Sequence, residues 1–301
     1  MYKVLVCDPI DKDSFQTLVD LGYEMVEMVG LNEAQLVEVV PPYHAMIVRS
    51  ATKVTAKVIE AAANMKIVLR GGVGVDNIDV EAAEAKGIKV KNTPASSSMA
   101  VAELTIAMMF SLARKLSKAD ASMQAGAWEK KKFSGTELAG KTLGLIGSGR
   151  IGTQVARLAS LLGMEVIAYD PFVKEFEYGK LVDSSEEILK NSDYISLHVP
   201  LTEKTRNMIN EQSIALMKPT AFLINCARGG IVDEKAFAEA VRAGKVAGGA
   251  FDVFETEPPK DNPLKGLDGV ILTPHIGAST KEAQARIGGE LVSILKQELP
   301  L

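Results

Sequence analysis

The chain contains few of the residues that mark secreted or metal-dependent proteins. Its 301 residues include only two cysteines, three histidines and one tryptophan. Cys7 and Cys226 are far apart in sequence and do not have the spacing of metal ligands. Isolated cysteines are typical of reduced thiols, so we expect a cytoplasmic location. Three scattered histidines do not form a zinc site, and no metal is predicted.

The sequence also lacks a strong excess of charge and a long apolar segment. Its net charge is −4, so we expect no general attraction to nucleic acid or to an anionic membrane. The longest apolar stretch, Met99–Ala113, is interrupted by Glu103 and is too short to span a bilayer. The first residues read as a strand, so no signal peptide is expected. With 47% hydrophobic residues, the chain is long enough for two domains, each with its own core.

Strand-like and helix-like segments alternate along most of the chain, which is typical of parallel α/β architecture. Pro94 and the serines at 96–98 interrupt the pattern and predict a linker. A basic loop containing several glycines is predicted between residues 115 and 140. The segment after Ser279 has helical spacing but is too short for a domain, so we expect it to pack on the first body. The predicted strands are Lys3–Cys7, Ala45–Val48, Ile67–Leu69, Ile88–Val90, Thr142–Ile146, Glu165–Asp170, Tyr194–Val199, Ala221–Asn225, Ala247–Val253 and Val270–Thr273.

A Gly-x-Gly-x-x-Gly motif lies between one of these strands and an amphipathic helical segment. Gly147 allows the tight turn, Gly149 lets the backbone approach a pyrophosphate, and Gly152 lets helix and strand pack closely. The free amides and the dipole at the helix start attract phosphates. Asp170 ends the next strand, where a carboxylate can accept hydrogen bonds from ribose hydroxyls and repel a 2′-phosphate. The motif therefore predicts a site for NAD rather than NADP.

Three polar residues follow later strands of the same sheet. Arg228 comes after the strand ending at Asn225, Glu257 lies in a loop with two prolines, and His275 follows Pro274. Ligands of open α/β sheets bind outside these strand ends. A 2-hydroxy acid that loses hydride to NAD needs a base for its hydroxyl proton, which a histidine can supply. A carboxylate can fix the tautomer of that histidine, and an arginine can bind the substrate carboxylate through two hydrogen bonds.

Five sequence blocks are spread over nearly the whole chain: residues 70–79 (RGGVGVDNID), 198–202 (HVPLT), 225–233 (NCARGGIVD), 252–259 (DVFETEPP) and 273–278 (TPHIGA). These blocks resemble the signatures of the D-2-hydroxyacid dehydrogenase family and keep the family's order. Within the family, residues 48–55 (VRSATKVT) and 128–133 (WEKKKF) make the chain most similar to the short-type phosphoglycerate dehydrogenases.

The resemblance implies a fold, an activity and an assembly. It implies an α/β protein with two doubly wound parallel-sheet domains. A Rossmann cofactor domain (96–277) would be inserted in a discontinuous flavodoxin-like substrate domain (1–95 and 278–301). The implied reaction is the NAD-dependent oxidation of 3-phospho-D-glycerate to 3-phosphohydroxypyruvate, a step in serine biosynthesis. The family is usually dimeric through the cofactor domain, so a homodimer is expected.

The resemblance also assigns residues to the catalytic, cofactor and substrate sites. Arg228, Glu257 and His275 would form the catalytic set. The substrate would be held by the backbone amides of Val73 and Gly74, with Arg49 and Ser50 nearby. Lys130, Lys131 and Lys132 are expected to bind its phosphate group. The cofactor residues would be Gly147, Gly149, Arg150, Ile151, Gly152, Asp170, Val199, Pro200, Thr205, Cys226, Ala227, Arg228, Asp252, His275, Gly277 and Ala278.

Several alternatives stay open. Lysines 130 to 132 also fit a solvated run of charge, and Glu255 competes with Glu257 for the carboxylate role. Cys226 ends a buried strand with no adjacent base, which favours packing over nucleophilic chemistry. A glyoxylate or hydroxypyruvate reductase is the main enzymatic alternative, and an NAD(H)-sensing corepressor-like protein is the alternative of another class. Longer relatives carry C-terminal regulatory domains that bind serine, and regulation by that route is not expected here.

Overall fold

The structure is a computed structural model that describes residues 1–301, with two groups of parallel strands and their flanking helices. The strands are β1 (Lys3–Val6), β2 (Glu24–Glu27), β3 (Ala45–Val48), β4 (Ile67–Arg70), β5 (Lys89–Asn92), β6 (Thr142–Ile146), β7 (Glu165–Tyr169), β8 (Lys180–Leu181), β9 (Tyr194–Leu197), β10 (Phe222–Asn225), β11 (Gly248–Phe251) and β12 (Val270–Leu272). The helices are α1 (Lys12–Asp20), α2 (Glu33–Val39), α3 (Ala56–Ala61), α4 (Val80–Ala85), α5 (Ser98–Arg114), α6 (Leu116–Gln124), α7 (Arg150–Leu161), α8 (Ser185–Asn191), α9 (Glu211–Ile214), α10 (Glu234–Arg242) and α11 (Lys281–Glu298).

The chain divides into two compact units, of which the first is discontinuous in sequence. Unit 1 comprises Met1–Ser97 and Ala278–Leu301, and unit 2 comprises Ser98–Gly277. No helix has the length and apolar character that crossing a lipid bilayer requires.

Unit 1 is built on a sheet of five parallel strands in the order β2-β1-β3-β4-β5. This order is that of flavodoxin-like folds. Strands β3 and β4 are buried along their whole length, as expected for parallel strands covered by helices on both faces. Helix α11 packs Leu291 and Leu295 against one face of the sheet. The buried hydroxyl of Tyr23 donates a hydrogen bond to the carbonyl of Leu299 (2.7 Å) and fixes the end of this helix.

Unit 2 contains seven parallel strands in the order β12-β11-β10-β9-β6-β7-β8. Counted from β6, this is the Rossmann order with one further strand at the edge. Two apolar cores lie within the unit, one containing residues of α5 and α7 and the other containing residues of α8, α9 and α10. The direction of winding reverses between β6 and β9, where ligands of such sheets bind. The predicted α/β class with two doubly wound parallel sheets is confirmed.

Three elements differ from the sequence prediction. Strand β2 was not predicted because it has the sequence Glu-Met-Val-Glu and none of its residues is fully buried. Strand β8 has only two residues, too few to give a pattern. Helix α6 was predicted as part of a basic loop. It has no buried residue, so it lacks the apolar periodicity that identifies a helix.

Candidate active site

The glycine motif forms the turn between β6 and the start of α7. Gly147 has a φ of +95°, which favours glycine, and a Cβ atom there would lie 2.5 Å from the carbonyl oxygen of His198. A Cβ atom on Gly152 would clash with the carbonyl oxygen of Gly147. By contrast, a Cβ atom on Gly149 would meet no protein atom within 4 Å. Two glycines therefore serve packing, and the third leaves open space in front of the helix amides.

The surroundings of this turn fit a dinucleotide. Gly149 is the N-cap of α7, and no side chain caps the helix. Arg150 and Ile151 form its first positions, so the free amides there are available to an anion. The buried hydroxyl of Ser148 has no protein partner. An uncapped helix start, an orphaned hydroxyl and an open glycine together suit the pyrophosphate of NAD.

Asp170 lies directly after β7 and faces the same turn. One carboxylate oxygen accepts a hydrogen bond from the Ser148 amide (2.9 Å), and the other accepts one from the Phe172 amide (3.0 Å). The carboxylate therefore stabilises the turn as well as lying where a ribose hydroxyl donor would be bound. A substitution of Asp170 would therefore affect both the stability of the turn and the binding of a ribose.

The loop after β9 contains three of the predicted cofactor residues. Val199 is half-buried and Pro200 is exposed. The Thr205 hydroxyl donates to the carbonyl of Pro200 (2.6 Å) and accepts from the Thr202 amide (2.8 Å). These hydrogen bonds stabilise the loop after β9. The loop lies beside the glycine turn, where the direction of winding of the sheet reverses.

His198, the residue that directly follows β9, has a buried imidazole. Burial lowers the pKa of this imidazole to about 4, so the ring is neutral near pH 7. One ring nitrogen lies 2.9 Å from the Ser196 hydroxyl, and the buried Nδ1 atom has no partner. His198 is thus a poor general base, because a base must change its protonation state near the working pH.

His275 and Glu257 come together although different loops carry them. The Nδ1 atom of His275 lies 2.7 Å from one carboxylate oxygen of Glu257. The other oxygen accepts a hydrogen bond from the Phe254 amide (3.1 Å). Both side chains remain about one-third exposed, so the far side of the imidazole stays within reach of a ligand. Glu257, rather than Glu255, is the carboxylate that meets the histidine.

The electrostatics of this pair favour an ionised glutamate. Burial by itself would raise the pKa of Glu257. The hydrogen bond and charge of His275, the Phe254 amide and the charge of Arg228 outweigh that effect, and the pKa lies below the ordinary value. The carboxylate can thus accept a hydrogen bond from Nδ1–H, which leaves Nε2 to exchange a proton with substrate.

Asp252 shapes the turn that presents His275. Its buried carboxylate accepts hydrogen bonds from the Thr273 hydroxyl (2.6 Å) and from the amides of Ile276 and Gly277 (both 2.8 Å). His275 itself has a φ of +53°, an uncommon backbone conformation for a residue other than glycine. Three hydrogen bonds to one carboxylate stabilise that conformation.

Arg228 lies on the turn that follows β10. Asn225, the last residue of the strand, accepts a hydrogen bond from the Ala227 amide (3.1 Å) and donates one to the Arg228 carbonyl (2.9 Å). The Arg228 side chain is half-buried and donates to the Ala227 carbonyl (2.6 Å). Its charge acts on Glu257, which places it in the same cluster.

Cys226 is a buried thiol in this region. Burial and the nearby carboxylate of Asp252 raise its pKa to about 12, against the opposing effect of a hydrogen bond with Thr105. Its sulfur lies 3.5 Å from that of Met108. Because the thiolate is the nucleophilic form, Cys226 has a packing role in its present environment.

The predicted substrate residues of unit 1 follow β3 and β4. The Asp8 carboxylate accepts hydrogen bonds from the amides of Arg49 (2.5 Å) and Thr52 (3.3 Å). Asn77 donates to the carbonyls of the same two residues (2.8 and 2.7 Å). The loop is therefore fixed from both sides. The Nε atom of Arg49 is buried without a partner, and burial lowers the pKa of the guanidinium while Asp8 raises it.

The remaining predicted residues have less distinctive surroundings. Ser50 is exposed, Val73 and Gly74 are half-buried, and the Val73 carbonyl accepts a hydrogen bond from Asn92. The carbonyl of Ala278 accepts one from Gln284 (2.6 Å) within unit 1.

The three lysines predicted to bind a phosphate group, Lys130, Lys131 and Lys132, lie in an exposed 3-10 helix, Lys130–Phe133. Lys132 pairs with Glu129 (2.5 Å) and lowers the pKa of that carboxyl, whereas Lys130 and Lys131 have no ion-pair partner.

Asp8, Asn77 and Asn225 organise these loops and were not predicted as site residues. A signal was present for two of them, because Asp8 and Asn225 are polar residues at the carboxyl ends of buried strands. Asn77 lies in a loop, and only the folded chain reveals its two hydrogen bonds.

Comparison with known proteins places these features in one family. Residues 106–277 match the model of the D-isomer specific 2-hydroxyacid dehydrogenase, NAD binding domain. The chain is 51% identical over 303 residues to a D-3-phosphoglycerate dehydrogenase of Methanocaldococcus jannaschii, covering 99% of this chain and 58% of that protein. The chain thus spans little more than half of that relative. A hydroxypyruvate reductase of Thermotoga maritima is 50% identical, with coverage of 99% and 98%.

A solved structure has the same fold. The crystal structure of a protein from Thermus thermophilus has a TM-score of 0.92 and 35% identity, and the match covers 99% of this chain and 96% of that one.

Proposed function

Because the chain belongs to the D-isomer specific 2-hydroxyacid dehydrogenase family, we propose that it oxidises 3-phospho-D-glycerate to 3-phosphohydroxypyruvate with NAD, as in serine biosynthesis. The observation that carries this proposal is the hydrogen bond between His275 and Glu257 in the unit that holds the glycine turn. An oriented imidazole at the carboxyl edge of a dinucleotide-binding sheet is the acid–base device that a hydroxy-acid oxidation requires.

The proposed chemistry divides among three side chains. Bound NAD supplies the acceptor for the hydride that leaves C2 of the substrate. As that hydride leaves, Nε2 of His275 takes the hydroxyl proton, and the electron pair of the O–H bond forms the new carbonyl bond. Glu257 holds Nδ1 and stabilises the imidazolium that results. Arg228 binds the substrate carboxylate and fixes C2 relative to the base.

Positive charge beyond that of Arg228 supports a phosphorylated substrate. Arg49 has a buried nitrogen without a partner, and Lys130 and Lys131 form no ion pair. The Arg228 guanidinium would bind the substrate carboxylate. A dianionic phosphate is the simplest further group that would bind to cations without a partner.

A hydroxypyruvate reductase is the second candidate. It is favoured by the Thermotoga relative, which is as similar as the phosphoglycerate relative and matches over 98% of its own length. The same catalytic residues would serve it, because hydroxypyruvate differs from the phosphorylated keto acid only in the phosphate. A corepressor-like NAD(H) sensor, the candidate of another class, would bind NADH without comparable turnover.

A panel of substrates tests these candidates. Initial rates would be measured with 3-phosphoglycerate, 3-phosphohydroxypyruvate, hydroxypyruvate, glyoxylate and D-lactate or pyruvate, each with NAD(H) and NADP(H). We expect the highest kcat/KM for the phosphorylated pair with NAD(H). A higher kcat/KM for hydroxypyruvate would support the reductase, and NADH binding without turnover would support the sensor.

We propose in addition that the protein is a homodimer through unit 2. Helix α6 has no buried residue, and large apolar side chains on and near it are exposed, among them Trp128 (80%), Leu116 (60%) and Met123 (53%). Large apolar side chains that are exposed close together in sequence are typical of a surface that a partner covers. Sedimentation velocity should give a dimer that Trp128→Lys weakens, and a monomeric wild type at micromolar concentration would contradict the proposal.

The two buried free cysteines support a cytoplasmic location.

A further inference from the structure

Glu234, the first residue of α10, is a buried carboxylate that the proposed chemistry does not use. Only 9% of the residue is exposed. Burial raises its pKa, and the nearby charges of Glu255 and Asp233 add to this effect against the hydrogen bonds that it accepts. Burying a carboxylate is costly unless hydrogen bonds compensate for the lost water. The partners of Glu234 therefore indicate what it stabilises.

Those partners lie at the two ends of one exposed segment, residues 255–262, which we call the Glu257 loop. One carboxylate oxygen of Glu234 accepts a hydrogen bond from the Glu255 amide (2.8 Å). The other accepts one from the side-chain amide of Asn262 (2.7 Å). Residues 255–261 are all exposed, so packing does little to fix them. One side chain thus joins both ends of the loop to the rigid start of α10.

The loop carries Glu257, whose position depends on its anchored end. The amide of Phe254, the residue before Glu255, donates to the carboxylate oxygen of Glu257 that does not contact His275. The Phe254 carbonyl and the Glu255 amide form one peptide bond, and a Cβ atom on Gly229 would clash with both, so the turn next to Arg228 packs directly against this end. Movement of the Glu255 backbone would therefore disturb both Glu257 and the turn that holds Arg228.

We propose that Glu234 is a positioning residue whose carboxylate, with Asn262, holds the two ends of the Glu257 loop and keeps Glu257 within hydrogen-bonding distance of His275. The inference rests on the proposed function only in the role given to His275. Its structural content, the dependence of the Glu257–His275 hydrogen bond on Glu234, can be measured without any substrate.

The test compares Glu234→Ala, Glu234→Gln and Asn262→Ala with the control Glu239→Ala. Glu239 is an exposed residue on the same helix. Because a misplacement of about 1 Å can cost up to about a hundredfold in rate, we expect Glu234→Ala to lose roughly tenfold or more in kcat. Its Kd for NADH should stay close to that of the wild type. Asn262→Ala should lose less, and Glu234→Gln should recover part of the rate because its amide oxygen still accepts from Glu255.

A spectroscopic measurement separates positioning from general stability. The chain has three histidines, so the ring ¹⁵N signals of His275 can be assigned by comparison with His275→Ala. These signals report which ring nitrogen carries the proton and how strongly it is hydrogen-bonded. We expect them to shift in Glu234→Ala and Asn262→Ala and to remain unchanged in Glu239→Ala.

Two results would overturn the inference. One is a wild-type kcat with unshifted His275 signals in folded Glu234→Ala and Asn262→Ala. The other is a lower Tm with kcat and signals unchanged, which would make Glu234 a purely structural residue. If Glu234→Ala does not fold, the kcat and the His275 signals of Asn262→Ala and Glu234→Gln provide the same test. A wild type without turnover on any 2-keto acid would refute the proposed function, while the His275 signals would still test the positioning by Glu234.

Discussion

His275 and Glu257 are joined by a 2.7 Å contact between an imidazole nitrogen and a carboxylate oxygen, although 18 residues separate them in the chain. Glu257 lies in the loop after β11 and His275 follows β12. These two strands are parallel neighbours, so their carboxyl ends lie at the same edge of the sheet. A carboxylate acceptor at Nδ1 favours the tautomer with its proton on Nδ1, which leaves Nε2 as the nitrogen that can act as a base.

Replacement of His275 tests its role as the acid–base group. His275→Ala should lower kcat by at least about a hundredfold, because proton transfer would depend on water. The Kd for NADH should change little, since the glycine turn is untouched. Steady-state kinetics and fluorescence titration with NADH measure the two effects. Turnover similar to that of the wild type would exclude His275 from the mechanism.

Replacement of Glu257 should change the pH dependence of both activity and stability. In Glu257→Gln the imidazolium loses its charged partner, so the pH profile of kcat/KM for oxidation should move to lower pH. The lowered pKa of Glu257 means that its ionised form contributes stability above the ordinary glutamate pKa. That contribution is lost as the pH falls through the lower folded-state pKa. The difference in Tm between wild type and variant should therefore begin to shrink near the ordinary glutamate pKa of about 4.3 and disappear only below the lower folded-state pKa. A constant difference would contradict this assignment.

Gly149 and Gly152 form a matched pair for testing the cofactor site. A Cβ atom on Gly152 clashes with backbone, so Gly152→Ala should lower the free energy of unfolding by about 1–3 kcal/mol. Gly149→Ala meets no protein atom, so its stability should change by less than about 0.5 kcal/mol. Its added methyl group would nevertheless occupy the space proposed for the pyrophosphate and should weaken NADH binding. Calorimetry and NADH titration check both variants, and unchanged NADH affinity in Gly149→Ala would refute the site.

Asp170 should determine the preference between the two nicotinamide cofactors. Asp170→Asn keeps an acceptor for the Ser148 amide but removes the charge that would repel a 2′-phosphate. We expect kcat/KM to fall with NADH and to rise, or fall less, with NADPH. The ratio of the two values is the measurement, and a ratio equal to that of the wild type would remove Asp170 from cofactor selection.

The lysines of the 3-10 helix test the proposed phosphate group. Changing Lys130, Lys131 and Lys132 together to alanine should raise KM for 3-phosphohydroxypyruvate and leave KM for hydroxypyruvate nearly unchanged. Lys132→Ala alone should have a smaller effect, because Lys132 is already paired with Glu129. Equal losses on both substrates would instead indicate a general effect on this segment, and the lysines would have no specific role toward phosphate.

Strong local patterns made most of the fold predictable. The strands of unit 2 from β6 onward are short apolar runs, and all but β8 were expected at nearly their observed bounds. The elements that were missed have weak patterns, since β2 is not fully buried, β8 is two residues long and α6 buries no side chain. In the site, the residue types and their place after strands predicted His275, Glu257 and Arg228, and the structure brings the side chains of His275 and Glu257 together. Asp8 carries the general signal of a polar residue after a buried strand, but nothing in the sequence connects Asp8 or Asn77 with the Arg49 loop.

The sequence by itself determined the α/β class, the glycine turn and the family, because these depend on local periodicity and on contiguous motifs. Only the tertiary structure decided which of the neighbouring carboxylates, Glu255 or Glu257, meets His275. It also brought the Glu234 carboxylate to the Glu255 amide and the Asn262 side chain. These choices depend on contacts between residues that are distant in the chain, and such contacts are specified by sheet order and by burial.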